Sequence, residues 1–206
     1  MESALSDGAF AKDLRLIETM LWDGCGFPRL GLHMARLERS AAALGWLAPV
    51  GVVAALAGLP EVALRVRLTM DCRGGLLIEL AALPVAKAAW RVGLSVQRLN
   101  SADPWLRIKS TRRAVYDAAR ATLPAELDEV IFLNERGEVC EGAITSVFFD
   151  RGAGLRTPPL ACGLLPGVLR AEMGVEEEVL LAEDLGKVRL LVGNALRGLS
   201  PAQLAL

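Results

Sequence analysis

The chain has 206 residues, 53% of them hydrophobic, with 23 Lys and Arg against 24 Asp and Glu and a formal charge of −1 at pH 7. That length can bury a substantial core as one large domain or two lobes, and the near-even charge excludes the basic field of a nonspecific nucleic-acid binder. Charges interrupt the apolar stretches well before the roughly 18 residues a membrane span requires, and the N-terminus lacks the basic-then-apolar layout of a secretory signal.

A cytoplasmic protein with a small-molecule partner, and neither nucleic acid nor membrane, is the expectation. Cys25, Cys72, Cys140 and Cys162 form no CxxC pair, and His33 is the single histidine. A structural zinc site, a disulfide framework and a serine-histidine triad therefore have little to build on.

In chain order, Leu14 to Leu21 reads as a short strand, with Trp22 to Pro28 as the turn into a second strand, so that a hairpin opens the fold. Leu32, Ala35, Leu37, Ala41 and Leu44 recur at helical spacing, which predicts a helix carrying Arg36 and Arg39. Pro49 to Ala57 allows a second helix ended by Gly58. VALRVRLTM and GLLIELAAL then read as an antiparallel hairpin around Asp71 to Gly75. Arg91 to Leu99 gives another strand, and Thr111 to Leu123 an amphipathic helix stopped by Pro124.

DEVIFLN and VCEGAITSVFF flank Glu135-Arg136-Gly137, a hairpin loop with glycine where a positive φ is wanted. Leu155 to Thr157 and Val179 to Leu181 read as short strands, Gly167 to Gly174 as a helix announced by Pro166, and Glu183 to Val188 as a short helix before LLVGNAL. Lobes of residues 1–103 and 104–206 are expected, the first of them α+β.

Several strings together carry a specific resemblance: LHMARLERSAAALG, IKSTRRAVYDAAR, DEVIFLNERGEVCEGAITSVFF, TPPLACGLLPGVLR and VGNALRGL. In that order they resemble the class IV aminotransferases, the pyridoxal-phosphate fold type shared by branched-chain aminotransferase, D-amino acid aminotransferase and 4-amino-4-deoxychorismate lyase. The resemblance implies a two-lobe α+β fold of the D-amino acid aminotransferase kind, with a shortened N-terminus, working as a homodimer. It also implies pyridoxal 5'-phosphate as cofactor and amino-group transfer between an amino acid and a 2-oxo acid. Two alternatives stay open: the lyase reaction on 4-amino-4-deoxychorismate, giving 4-aminobenzoate and pyruvate, and noncatalytic binding of the cofactor.

By the same resemblance Lys109 is the lysine that joins the cofactor aldehyde and carries the proton of the reaction. Glu141 is the carboxylate at the pyridine nitrogen. Arg36, the backbone of Gly167, Val168 and Leu169, and Asn194 are the phosphate partners, a helix start and a guanidinium fork both suiting that anion. Asn194 stands where the family often has threonine, and Ser146 where it commonly has asparagine. Glu18, Thr19, Arg113 and Tyr116 each admit a site role or a structural one, and His33 reads as a packing or hydrogen-bonding residue near Arg36.

Overall fold

The computed structural model describes residue 5 and residues 8–205. Two compact units divide the chain. The first runs to Val85 and takes back Ile108–Arg112, and the second holds Ala86–Arg107 and the chain from Arg113 onward. The strand Trp90–Leu99 pairs with strands of the second unit and not with the opening sheet.

In the first unit, β1 (Leu16–Trp22), β2 (Leu64–Met70) and β3 (Leu76–Ala82) form an antiparallel sheet in that order. The β2–β3 hairpin matches its expected turn. Asp71 accepts hydrogen bonds from the Arg73 and Gly75 amides (2.9 and 2.8 Å), and Gly74 takes the positive φ of 81°. The opening hairpin is corrected: β1 pairs with β2, Leu16 facing Met70, and no strand follows Pro28. Residues 23–29 instead lead directly into helix α1 (Leu30–Ala43), since the Asp23 carboxylate takes up the Cys25 and Gly26 amides and closes a local turn.

The core-facing side of α1 differs from expectation in part. Its buried residues are His33, Arg36, Leu37, Ser40 and Ala41, whereas Leu32 is exposed. Leu37, Ala41 and Leu44 are buried as expected, and the buried polar residues His33, Arg36 and Ser40 share that side of the helix. Helix α2 is reduced to Val52–Ala55, its start set by Gly51, which adopts a left-handed φ of 73° as the residue before the helix.

The second unit is built around a sheet that closes on itself. With β4 (Trp90–Leu99), β5 (Glu129–Asn134), β6 (Val139–Gly142), β7 (Ser146–Asp150), β10 (Arg189–Asn194) and β11 (Gly198–Leu204), the order runs β10-β11-β4-β5-β6-β7, and β7 pairs again with β10. Strands β8 (Leu155–Thr157) and β9 (Glu176–Glu177) extend it beyond β7.

Every residue of β5 is buried. Ile131 and Leu133 pack with Val92, Val139 and Val147, while Val130 and Phe132 pack with Leu99, Cys140 and Leu164. Alternate side chains thus enter two apolar clusters, which explains the unbroken apolar run in VIFL.

Three further expectations change here. VCEGAITSVFF holds two strands, because a tight turn at 142–145, with the Gly142 amide donating to the Thr145 carbonyl (2.8 Å), folds it back on itself. Helix α3 spans only Ala114–Ala121: residues upstream of it are captured as extended chain beside β1, with the Thr111 amide donating to the Arg15 carbonyl (2.9 Å). Val179–Leu181 reduces to a single bridge from Leu181 to Glu138. Strand β11 escaped the sequence reading because Pro201, set opposite Leu191, is a poor strand signal.

Candidate active site

Lys109 sits in an extended segment of the first unit and not at a helix start. The Ile17 amide donates to its carbonyl (2.9 Å), Ser110 bridges Leu16, and the Thr111 hydroxyl donates to the Asp13 carbonyl (3.0 Å). The backbone on both sides of this half-buried lysine is therefore fixed by β1 and the chain leading into it.

In the same unit Glu18 projects from β1 toward α1, at 1% exposure. Arg36 donates to it twice, Nε to Oε1 (2.9 Å) and Nη2 to Oε2 (2.5 Å), and His33 Nδ1 lies 2.6 Å from Oε2. Burial alone would push the Glu18 carboxyl up, but the Arg36 charge and the bonds from His33 and Arg36 outweigh it and hold the group below its ordinary range. The plane of the Arg36 guanidinium is thereby set. Thr19 lies on the other face of β1, opposite Arg67, and Arg39 is exposed.

In the second unit Glu141 lies next to the end of β6, buried, with donors on both oxygens: the Tyr116 hydroxyl on Oε1 (2.7 Å) and the Leu165 amide on Oε2 (3.2 Å). Both donors belong to the same unit as Glu141 and fix the orientation of its carboxylate. Arg113 is used within the unit, donating to Asp117 (2.8 Å) and to the Ala143 carbonyl (3.1 Å) while its guanidinium lies 5.7 Å from the Tyr116 ring centroid.

Helix α4 (Val168–Met173) begins at Gly167, as read from LLPGVLR. A Cβ on Gly167 would stand 2.5 Å from the Ser146 hydroxyl, so glycine permits this close approach. Gly193 is tighter still, its absent Cβ falling 2.6 Å from both the Gly198 carbonyl and the Leu169 side chain. Gly193→Ala would press on the strand pair and on α4 at once. The expected loss is about 1–3 kcal/mol, measured as a fall in urea midpoint; an unchanged midpoint would contradict this packing.

Asn194 is placed beside this region with its carboxamide already engaged. Its amide donates to the Ile144 carbonyl (3.1 Å), and its oxygen accepts from the Leu196 and Arg197 amides (3.1 and 3.0 Å). The side chain ties the β10–β11 turn to the turn after Glu141.

One residue that the sequence reading passed over completes that turn. Glu129, with 0% exposure, accepts from the Ile144 amide and the Thr145 hydroxyl (3.0 Å each) and from its neighbour Val130 (3.1 Å). It fills the space where a Gly142 Cβ would be 2.8 Å from its carboxylate. A charged residue opening an otherwise apolar buried strand was the available signal. Among the described residues no group of three or more His, Cys, Asp or Glu is placed to hold a metal ion, and no helix is long and apolar enough to cross a membrane.

The family profile for amino-transferase class IV matches residues 15–204. A Schizosaccharomyces pombe protein described as a candidate aminodeoxychorismate lyase is 30% identical over 172 residues, 79% of this chain and 74% of that protein. The crystal structure of a candidate amino-acid aminotransferase from Mesorhizobium loti superposes with a TM-score of 0.85 at 41% identity, covering 94% of this chain and all of that one. The 4-amino-4-deoxychorismate lyase of Pseudomonas aeruginosa shares the fold, with a TM-score of 0.79 at 20% identity over 94% of this chain and 84% of its own.

Proposed function

Because the chain belongs to the class IV aminotransferase family, we propose that it is a pyridoxal-phosphate enzyme that moves an amino group between an amino acid and a 2-oxo acid. The observation that carries this reading is Glu141, a buried carboxylate with one fixed donor on each oxygen, the kind of acceptor that the protonated ring nitrogen of that cofactor would meet. The glycine at 167, required by the packing of Ser146 against it, opens α4 with backbone amides of the kind that suit a phosphate.

When bound, pyridoxal phosphate supplies the electron sink that takes up charge from the substrate α-carbon. Lys109, on its fixed backbone, would anchor the cofactor aldehyde and then move the proton released at that carbon. Glu141 would keep a proton at the pyridine nitrogen. The amides of Gly167, Val168 and Leu169 would hold phosphate, with Arg36 addressing the same anion from a guanidinium oriented by Glu18. Asn194 would contribute by holding the neighbouring turns and through its amide.

The second reading, cleavage of 4-amino-4-deoxychorismate to 4-aminobenzoate and pyruvate, is favoured by the relative from Schizosaccharomyces pombe. Purified protein loaded with the cofactor separates the two. Mixing with single amino acids, in the absence of an acceptor, is expected to change the absorbance and release the matching 2-oxo acid. Pyruvate formed from aminodeoxychorismate, with no half-reaction on any amino acid, would overturn the aminotransferase reading in favour of the lyase. By family we also place the enzyme in the cytoplasm as a homodimer, for which sedimentation should return twice the chain mass; a monomer at micromolar concentration would contradict it.

A further inference from the structure

The side chain whose role the sequence left open is the one placed against the proposed ring-nitrogen carboxylate. Tyr116 lies on α3, part-buried, with its ring edge-on to Phe132 at 5.1 Å between centroids. Its hydroxyl reaches 2.7 Å from Glu141 Oε1, while the Arg113 guanidinium lies 5.7 Å from the ring. Cys140, the neighbour of Glu141, is buried in the cluster against which Tyr116 packs.

From this geometry we infer that Tyr116 is a positioning residue that sets how strongly Glu141 holds a proton at the cofactor's pyridine nitrogen. The inference rests on the reading of the site given above.

A phenol that donates to a carboxylate draws off part of its negative charge and fixes which lone pair remains for a second partner. Burial first, and then the Glu141 charge, push the Tyr116 hydroxyl well above its usual range. Arg113 acts in the opposite sense and is outweighed. The phenol therefore stays protonated, and a donor, throughout the working pH range. The Leu165 amide on Oε2 is the other fixed donor, and it belongs to the chain leading into Gly167. Of the two, only Tyr116 can be altered chemically without touching the backbone.

The chain contains one tyrosine, which permits a graded test. Wild-type protein, Tyr116→Phe, and protein carrying 3-fluorotyrosine or 3,5-difluorotyrosine in place of tyrosine are each loaded with pyridoxal phosphate. The visible absorbance band is then titrated against pH. Loss of the donor in Tyr116→Phe leaves more negative charge beside the ring and is expected to raise the midpoint by about one pH unit. The more acidic fluorinated phenols are stronger donors and are expected to lower it in order of fluorination.

A purely structural tyrosine would leave the midpoint of all four proteins the same, and that result would overturn the inference while the cofactor assignment stood. If the wild type shows no band that borohydride abolishes, the cofactor assignment fails and takes this inference with it. Should Tyr116→Phe not fold, the fluorinated pair keeps the hydroxyl and decides the question, a flat response counting against the proposal.

Discussion

Lys109→Ala is expected to abolish turnover, by at least about 10³-fold, the range in which a positioned acid-base group contributes, and to abolish the cofactor's borohydride-sensitive absorbance with it. The other lysines, Lys12, Lys87 and Lys187, have no comparable setting. Lys87 is paired with Asp128 and Lys187 with Asp184, both on the surface. Lys109 instead stands on backbone fixed by the Ile17 amide on one side and the Thr111 contacts on the other. Substitution by alanine removes no backbone hydrogen bond, so circular dichroism and the urea midpoint should stay close to wild type. Activity retained within ten-fold would contradict the assignment.

The second large effect is on stability. Arg36→Ala would leave the Glu18 carboxylate, almost completely buried, with only His33 beside it. Removing one partner of a buried ion pair costs about 3–5 kcal/mol, because the remaining charge is stranded. The double variant Glu18→Gln/Arg36→Met should recover much of that loss, since neither charge then remains to be solvated. Urea denaturation of Arg36→Ala, Glu18→Gln and the double variant checks this, and a loss below about 1 kcal/mol in Arg36→Ala would show that the pair is not buried in solution.

The same pair fixes a pH dependence. The Glu18 carboxyl is held below its ordinary value of 4.5 in the folded chain. Its contribution to stability is therefore fully present above that value and is lost as pH falls through the lower, folded one. Glu18→Gln should flatten this acid limb of the stability curve.

Much of the fold was legible because local chemistry and tertiary packing agreed. The hairpin at Asp71–Gly75 carries its own turn chemistry, and the run VIFL reads as a strand buried on both faces. The failures have physical causes. The opening hairpin was misread because β1 finds its partner only after two helices, at β2, and a pairing of that sequence separation leaves no local trace.

The inward side of α1 was read only in part, Leu37, Ala41 and Leu44 being buried as expected, because apolar spacing was weighed alone. His33, Arg36, Leu37 and Ser40 also recur at helical intervals, and a carboxylate on β1 supplies the reason for burying them. Glu18 itself alternates with Leu16 and Met20, an acid on an apolar face, which was the signal that it had a partner inside.

The candidate site divides in the same way. Lys109, Glu141, the Pro166-Gly167 helix start and Gly193-Asn194, the proposed site residues, stand in the sequence as ordered motifs. Their supporting partners were not, because Tyr116 meets Glu141 and Glu129 meets Thr145 through folding and not through adjacency. Asn194 shows the limit of motif reading: the residue type was found, but its carboxamide is engaged with the Ile144 carbonyl and the Leu196 and Arg197 amides.

The central claim is a covalent bond between the Lys109 amine and a pyridoxal-phosphate aldehyde. Borohydride reduction of the loaded protein, followed by proteolysis and mass mapping, tests it directly. One added pyridoxyl-phosphate group per chain, on the peptide containing Lys109, is the expected result. A label on Lys12, Lys87 or Lys187, or no label at all on folded protein, would contradict it.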